Sequence, residues 1–495
     1  AKGLRTIVMG SLVSAGFAVL AAMKLAASEA AAFFRVGAGA SGVSTSLSMA
    51  LIGVGHLVGL SVGVAMLFGM LISWAGLIPA MTAMHGVTGD LADTVTNTFR
   101  NEVRFIGAGT IGVAAIWTLL KILGPITRGI RGAMAAARTR KDGGTLELTD
   151  RDLPIGIVGG TILASLPPIA FLLWQFSAGG PIAEHAGSVI AGTLVYILIV
   201  GVVIASVCGY MAGLIGASNS PVSGVGILAV LGAALLLVVL YGHGGDPARS
   251  EALVAYALFT TAIVFSIATI SNDNLQDLKT GQLVGATPWK QQFALVLGVI
   301  FGSAVIPPVL DLLNTAFGFA GAPGAGPNAL AAPQAALISA LAKGVLGGEL
   351  DWSLIGFGAA IGAVVIAIDE ALGKAGKMRL PPLGVGMGIY LPMAITVLIP
   401  VGAVIGHFYE KRADRSANPE FAKRIGVLMA TGLIVGESLF GVVFAALVAG
   451  SGSDAPLAVM GEGFEPNAVP IGLAVFVGLV AWLYRTTRRS AGMTA

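Results

Sequence analysis

Apolar windows of about 20 residues recur along the whole chain and restrict its fold more than any other feature. A bilayer core about 30 Å thick is crossed by a helix of roughly 20 apolar residues. Of the 495 residues, 56% are hydrophobic and 11% are charged, whereas a soluble domain carries roughly 25% charged residues. The sequence therefore predicts an all-α polytopic membrane protein, a single transmembrane domain over residues 1–495.

About 12 of the apolar segments are predicted to cross the membrane, and two are predicted to be re-entrant or broken. The predicted segments are approximately 4–27, 43–60, 61–84, 103–124, 153–175, 187–208, 223–241, 251–270, 290–310, 329–346, 352–370, 382–407, 425–449 and 469–485. The 71 glycines favour closely packed helices and interrupted ones.

Basic clusters predict the orientation of these segments. Lysine and arginine concentrate in the stretches 128–141, 374–379, 411–424 and 485–489. The positive-inside rule places all four stretches in the cytoplasm, together with the C-terminus. The acidic loop with Asp454, Glu462 and Glu465 is then predicted to lie outside.

Two segments break the alternation that simple spans would give. Segment 382–407 has a cytoplasmic basic cluster on each side, so it must enter and leave the membrane on one side. Its sequence contains prolines and glycines, which favour a re-entrant element or a pair of half-helices. The same alternation of sides predicts that the short segment 329–346 enters and leaves the membrane on the outer side, as a dip from outside.

A weak internal similarity suggests two related halves. Residues Gly53–Gly69 align with Gly384–Pro400, and the two stretches are predicted to start on opposite sides of the membrane. Such opposite entry is typical of an inverted-topology repeat. Chance similarity between glycine-rich apolar stretches stays an alternative. The predicted halves are 1–245 and 246–495.

A polar stretch, residues 271–292, interrupts the apolar chain and cannot face lipid. On a helix, its acidic and amide side chains share one face. These side chains, together with the lysine that follows, form a predicted gate or exit site of Asp273, Gln276, Asp277 and Lys279. Two carboxylates can hold a proton or a cation, and amides can bond peptide groups. A solvated interfacial helix is the alternative.

A second polar interruption lies between two apolar segments. Residues Gly209–Gly226 carry Asn219, Ser220 and Ser223 among glycines, the composition of an unwound helix whose free backbone groups can bind substrate. An ordinary loop between two spans is the alternative.

These two interruptions together resemble a known family. GLIGASNSPVSGV, followed about fifty residues later by NDNLQDLKTGQLVGATP, resembles the paired signature of the oligopeptide transporter (OPT) family. LIGVGHLVGLSVG, GVGMGIYLPM and LMATGLIVGESLFGV are similar to its bacterial branch, which is related to the yellow-stripe-like metal-chelate transporters. The resemblance covers nearly the entire chain.

The resemblance implies a proton-coupled secondary transporter with about sixteen membrane segments in two halves. Its substrates would be small peptides, glutathione-like compounds or peptide-like metal chelates. Family members open with roughly four further segments and a Pro-Glu-Gly motif, and neither precedes Ala1 here. The implied fold is therefore a two-half inverted-repeat transporter that lacks its N-terminal segments.

Ionisable and aromatic side chains inside spans are further candidates, because charge at mid-bilayer costs roughly 2.5 to 3.5 kcal/mol or more. Glu437 is the preferred proton carrier, with Asp311 as a second candidate. His56 and Tyr390 are predicted to contact substrate. The alternatives are hydrogen-bonded packing for Glu437 and His56, an interfacial position for Asp311 and a core position for Tyr390.

Other classes of protein find little support in the sequence. Cys208 is the only cysteine, so neither a disulfide framework nor a thiolate metal site is predicted. A formal charge of +3 does not suggest nucleic acid. Zinc-protease and P-loop motifs are absent, and the GxSxG match at Gly59, Ser61 and Gly63 lies in an apolar span rather than a strand-to-helix turn.

The predicted function is symport of small oligopeptides across the bacterial inner membrane by alternating access. No cofactor or metal is expected, and the proton is the coupling ion. A carrier of metal chelates is the alternative within transport, and a channel or an intramembrane enzyme is the alternative outside it. The oligomeric state stays open, with a homodimer as one alternative.

Overall fold

The structure is a computed structural model that describes residues 2–87, 89–118, 120–121, 147–216, 220, 222–242, 246–319, 332–347 and 351–493. These residues divide into two compact units. Unit 1 combines Ala1–Thr110, Ile306–Pro333 and Leu354–Ala495, and unit 2 combines Ile111–Val305 with Gln334–Ser353. The two units are defined by contacts between residues and not by similarity between halves. The halves 1–245 and 246–495 therefore stay a prediction.

The helices are numbered α1 to α17 along the chain. Those before the second polar interruption are α1 Lys2–Ala22, α2 Met49–Leu71, α3 Ile78–His85, α4 Leu91–Thr98, α5 104–118, α6 Ile155–Ser177 and α7 Ala186–Ile215. Those after it are α8 Val222–Tyr241, α9 Pro247–Val284, α10 Pro288–Phe317, α11 Pro333–Gly347, α12 Trp352–Lys374, α13 Pro382–Tyr390, α14 Met393–Thr396, α15 Leu398–Ala413, α16 Pro419–Ser451 and α17 Glu465–Ser490.

The predicted class is confirmed, because the described residues contain 11 helical stretches long and apolar enough to cross a membrane. Apolar side chains cover the surfaces of several of them, including Phe301 on α10, which is 71% exposed. A lipid bilayer is the solvent that such surfaces require. The chain is thus an all-α polytopic membrane protein, and its described residues include one small sheet.

That sheet is a β-hairpin that the sequence did not predict. Strands β1 Glu29–Val36 and β2 Gly39–Ser46 are antiparallel, and Val36 pairs with Gly39 across a two-residue turn. Gly37 opens the turn at φ 59°, a conformation that glycine adopts without steric cost. Strand β2 is mostly buried and packs against α3, α4 and α14, whereas β1 is mostly exposed.

One helical stretch replaces two predicted spans. The sequence divided 43–60 from 61–84, but the structure has a single stretch, Met49–His85. It bends at Gly59, which has φ 81° and ψ 171°, and it contains a π-helical turn, Ile72–Leu77. The predicted boundary, between residues 60 and 61, lies next to this bend.

The predicted interruption in 382–407 is confirmed. Helix α13 ends at Tyr390, Leu391 is extended at φ −78° and ψ 144°, and the four-residue α14 follows Pro392. Helix α15 then continues to Ala413. Predicted segment 329–346 corresponds to α11, whose 15 residues are shorter than a bilayer crossing. The predicted dip from outside stays a prediction.

In unit 1 the two bent elements pack on each other through glycine. Helix α2 contacts both α13 and α15. A Cβ on Gly69 would overlap the Val385 carbonyl oxygen, and one on Gly388 would overlap the Met66 carbonyl oxygen. Only glycine allows the backbones to approach this closely.

In unit 2 the long helix α9 packs along α7 and α8. Its 38 residues combine an apolar N-terminal part with the polar stretch at its C-terminal end. Hydroxyls reinforce the packing, because Tyr196 on α7 donates a hydrogen bond to the Ala229 carbonyl of α8 at 2.7 Å. Gly226 lies directly against the ring of Phe265.

Candidate functional site

The two signature segments come together in unit 2, where the end of α7 meets the polar end of α9. Ser271 donates a hydrogen bond to the Ala205 carbonyl at 2.6 Å. A Cβ on Gly209 would lie 3.1 Å from the Leu275 side chain, so the helices touch closely there. Ser220 donates to the Cys208 carbonyl at 3.3 Å, which holds the chain after α7 against its own last turns.

Residues 271–284 of the polar stretch are the last part of α9, and its remaining residues form the turn into α10 and the first residues of α10. Gly285 ends the helix in the left-handed region at φ 76°, and Pro288 begins α10. The Gln291 side-chain amide donates to the Asp277 carbonyl at 2.9 Å, which ties α10 to the end of α9. The stretch therefore forms a corner between two helices, closed by this hydrogen bond.

All four residues of the predicted gate or exit site lie on exposed parts of this helix: Asp273, Gln276, Asp277 and Lys279. Lys279 donates a hydrogen bond to the Gln282 side chain at 3.0 Å. Asp273 and Asp277 are one turn apart, as the sequence predicted. Their exposure fits the solvated alternative as well as a gate, and the gate stays a prediction.

A cavity of about 320 Å³ lies at this corner. It is bounded by the end of α7, the end of α9 and the turn before α6; its lining residues include Thr149, Asp152, Tyr210, Leu278, Lys279 and Gln282. Asp152 also accepts a hydrogen bond from Gln292 at 2.7 Å. The cavity combines a carboxylate, an ammonium group, a phenol and an amide.

Such a set of groups suits a small zwitterion. A carboxylate attracts an ammonium group, a lysine attracts a carboxylate, and an amide can bond a peptide group. Sequence reasoning selected Lys279 but missed Asp152, which lies outside both polar interruptions, and Tyr210, which lies in the second interruption beside the more polar residues 219–223. Of the predicted substrate contacts, Ser220 lies beside α7, Ser223 lies in the first turn of α8, and Asn219 lies outside the described residues.

In unit 1 the second candidate region is the pair of bends. When Gly53 is aligned with Gly384, Gly59 corresponds to Tyr390. The first element bends at Gly59 and the second at Leu391, directly after Tyr390, so the two bends lie at equivalent or adjacent positions. The similarity therefore extends from sequence to backbone shape. Interrupted helices in transporters expose backbone groups to substrate or ions.

Tyr390 is almost completely buried at its bend, with 1% of its surface exposed. The Arg104 guanidinium donates a hydrogen bond to its hydroxyl at 2.9 Å and lies 5.0 Å from its ring centre. A guanidinium stacked on an aromatic ring is held in position, and it is the cation that best matches a carboxylate. Sequence reasoning missed Arg104, although a charge at the start of an apolar span was a usable signal.

His56 lies on the buried side of α2 and is 4% exposed. Its Nδ1 is 2.9 Å from the Tyr484 hydroxyl of α17, and the Tyr409 ring is also adjacent. A bond to a neighbouring helix agrees with the packing alternative for this residue. The described residues contain no group of three or more metal-ligating side chains. Substrate contact by His56 stays a prediction.

Glu437 is a half-buried residue of α16 and bonds the first turn of α2. One of its carboxylate oxygens accepts from the Ser48 hydroxyl at 2.6 Å, and the other accepts from the Ala50 backbone N–H at 3.0 Å. A carboxylate is stabilised there because a helix N-terminus has free N–H groups and a positive dipole end. Asp311, by contrast, lies exposed on α10.

The family model described as OPT oligopeptide transporter protein matches residues 2–448. The chain belongs to the oligopeptide transporter family.

Among OPT relatives, a protein of Haemophilus influenzae named as an oligopeptide transporter is 38% identical, covering 98% of this chain and 80% of its own length. A rice protein (Oryza sativa subsp. japonica) named as a metal-nicotianamine transporter is 25% identical over 79% of this chain. The chain spans 53% of that rice protein. No solved structure matches the chain.

Membership in the OPT family makes this chain a transporter rather than an enzyme.

The segment that leads into α13 is anchored from the end of α12. Asp369, which is buried, accepts hydrogen bonds from the Arg379 side chain and from the Leu380 N–H, the latter at 2.9 Å. The hydrogen bonds to the Asp369 carboxylate raise the pKa of the Arg379 guanidinium above its usual value. Ser61, two residues after the α2 bend, donates to the Arg379 carbonyl at 3.2 Å.

Proposed function

We propose that this chain is a proton-coupled secondary transporter that moves small oligopeptides or peptide-like compounds across the bacterial inner membrane. The observation that carries the proposal is the pair of bent elements of unit 1, which pack through glycine inside a family of oligopeptide transporters. Alternating access requires membrane elements with discontinuous backbones that can change their mutual position. The backbones of α2 and of the α13–α15 element are discontinuous, which supports the proposal.

The proposed substrate contacts are of two kinds. In unit 1, Tyr390 and His56 lie near the bends, and Arg104 offers a positioned cation for a carboxylate. In unit 2, the proposed contacts are Ser220 and Ser223, which follow Asn219 in the chain. The proposed gate or exit consists of Asp273, Gln276, Asp277 and Lys279. The cavity beside Lys279 offers both signs of charge to a peptide zwitterion.

Glu437 is the proposed site of proton coupling, with Asp311 as the second candidate. In its ionised form Glu437 fastens α16 to the first turn of α2 through two hydrogen bonds. Protonation removes the negative charge and one acceptor, and therefore weakens this fastening. A ligand or proton shifts a conformational equilibrium only through such differential interactions. Protonation would thus favour the arrangement in which α2 has moved away from α16.

The test is uptake into proteoliposomes with an imposed pH gradient. We expect labelled tripeptide to accumulate above its external concentration and a proton uncoupler to abolish accumulation. In Glu437→Gln, uptake should no longer respond to the pH gradient, although exchange of substrate at equal concentrations should continue. Glu410→Gln, on an exposed position of α15, is the matched control and should behave as wild type.

Several outcomes would contradict the proposal. A flux that never exceeds equilibrium and ignores the uncoupler would indicate a channel, and cleavage of the bound peptide would indicate an enzyme. Wild-type gradient dependence in Glu437→Gln would exclude this residue as the coupling site, and Asp311→Asn would then be tested in the same assay.

A carrier of metal chelates is the second candidate, because several plant relatives are named as metal-nicotianamine transporters. A peptide-like chelate presents carboxylates and amines, as a peptide does, so the same cavity chemistry applies. Competition between labelled tripeptide, glutathione and an iron–nicotianamine complex separates the two candidates. Competition by the iron complex alone would favour the chelate carrier.

A further inference from the structure

A small basic cavity lies where the first turns of α1 meet the last turn of α17, and the transport proposal makes no use of it. Its volume is about 200 Å³. Lys2, Arg5 and Thr6 line it from α1, and Thr486, Arg489 and Ser490 line it from α17. We refer to it as the α1/α17 cavity.

The charges of the α1/α17 cavity are not balanced by the residues around it. Three of its lining residues are cationic and none is acidic. In the described part of the chain, neither Arg5 nor Arg489 has an ion pair with a carboxylate, and the Lys2 ammonium lies 5.9 Å from the centre of the Phe421 ring. Like charges that share one site repel each other. A bound anion would remove this cost.

The surfaces beside the cavity identify its environment. Leu4, Val8 and Leu12 expose apolar side chains on α1, and Val477 and Trp482 do so on α17. Both helices belong to the membrane-spanning set. Tryptophan and arginine near the end of a spanning helix are typical of the zone where hydrocarbon gives way to headgroups.

We propose that the α1/α17 cavity binds the phosphate group of an anionic phospholipid from the surrounding bilayer. The arginines from the two helices contact the phosphate oxygens as bidentate donors, and the hydroxyls of Thr486 and Ser490 donate the remaining hydrogen bonds. The acyl chains lie along the apolar surfaces of α1 and α17. The lipid thereby joins the first and last helices of unit 1.

The test compares lipid binding to the purified full chain by native mass spectrometry. Phosphatidylglycerol, phosphatidylcholine and inorganic phosphate are added separately. We expect phosphatidylglycerol to bind best. The double variant Arg5→Gln with Arg489→Gln should bind it about 30-fold more weakly, because each of the two basic residues contributes about 1 kcal/mol near an anionic headgroup. Lys2→Gln alone should weaken binding in the same direction and keeps the test valid if the double variant does not fold.

The matched control is Arg424→Gln with Arg485→Gln, which removes the same charge from two exposed arginines outside the cavity. It should bind phosphatidylglycerol as wild type does. An equal loss in the control would indicate diffuse attraction and overturn the proposal. Equal binding of phosphatidylcholine would overturn the anionic selectivity, and full occupancy by inorganic phosphate in the absence of lipid would identify a free-anion site instead.

Discussion

At the scale of single residues, glycine positions differ sharply in what a methyl group would meet. On α16, a Cβ at Gly436 would overlap the Ser11 carbonyl of α1, whereas a Cβ at Gly441 would meet nothing within 4 Å. The two glycines of α16 therefore have different structural roles. Gly436 permits the α1–α16 contact, and Gly441 is simply part of an open surface.

We expect Gly436→Ala to destabilise unit 1 by about 1–3 kcal/mol, the usual cost of forcing extra volume into a packed contact. Gly441→Ala should leave stability unchanged or raise it slightly, because alanine is the better helix former. Thermal unfolding of both variants in the same detergent measures the difference. Equal melting temperatures for the two variants would contradict the close contact between α1 and α16.

At the residue scale, the sequence could select side chains that are unusual for their surroundings, and the roles predicted for them stay predictions. Glu437 and Tyr390 were selected because a carboxylate in an apolar span and an aromatic in a broken segment both stand out. Their partners could not be selected, because Ser48 lies 389 residues from Glu437 and Arg104 lies 286 residues from Tyr390. Only the tertiary fold brings such residues together.

At the scale of elements, the bend of α2 depends on one backbone conformation. Gly59 has φ 81° and ψ 171°, a region that only glycine occupies readily. Its hypothetical Cβ would meet no atom within 4 Å, so the constraint there is conformational rather than steric packing. The bend therefore needs glycine for its backbone angles.

We expect Gly59→Ala to cost about 1–3 kcal/mol of stability or to straighten α2, and in either case to lower peptide uptake. Gly76→Ala is the matched control on the same helical stretch, because its Cβ also meets nothing within 4 Å and its φ is not positive. Thermal unfolding and uptake by proteoliposomes measure the two effects. Wild-type uptake in Gly59→Ala would show that the bend is not required for transport.

Elements were predictable where their sequence carried a strong local signal. The interruption at Leu391 was predicted from prolines, and the end of α9 was predicted from Gly285 and Pro288. The hairpin was missed, because β1 contains three consecutive alanines and β2 is rich in small residues. Neither strand has the alternation of apolar and polar residues that indicates a half-buried strand; tertiary burial of β2 stabilises it instead.

At the scale of the whole molecule, the positions of the two ends of α16 can test the predicted orientation of the chain in the membrane. It runs without interruption for 33 residues between a basic region and the loop around Ser453. A helix of that length is about 50 Å long, which exceeds the thickness of the bilayer core. Its two ends must therefore lie on opposite sides if it crosses the membrane.

Single cysteines can measure this, since Cys208 is buried and is the only native cysteine. In a Cys208→Ser background, we expect Ser453→Cys to react with a membrane-impermeant maleimide in intact cells. Ala417→Cys should react only after the cells are opened. The reverse pattern would contradict the predicted orientation, and reaction of both cysteines in intact cells would contradict a crossing by α16.

At this scale the class and family of the molecule were predictable, because apolar windows and paired signature segments are local properties of the sequence. The grouping into two compact units was not, since unit 1 is assembled from three separate stretches. Such grouping depends on which helices touch, and hydropathy carries no information about that.

The glycine contacts between α2 and the α13–α15 element have a mechanical consequence. Gly55, Gly69, Gly388 and Gly402 bring backbone against backbone, so at these points no side chain of one helix inserts between side chains of the other. Movement along such an interface requires no rotamer change at these four positions. We therefore expect movement of one element along the other to be less hindered at these four contacts than at contacts between interdigitated side chains.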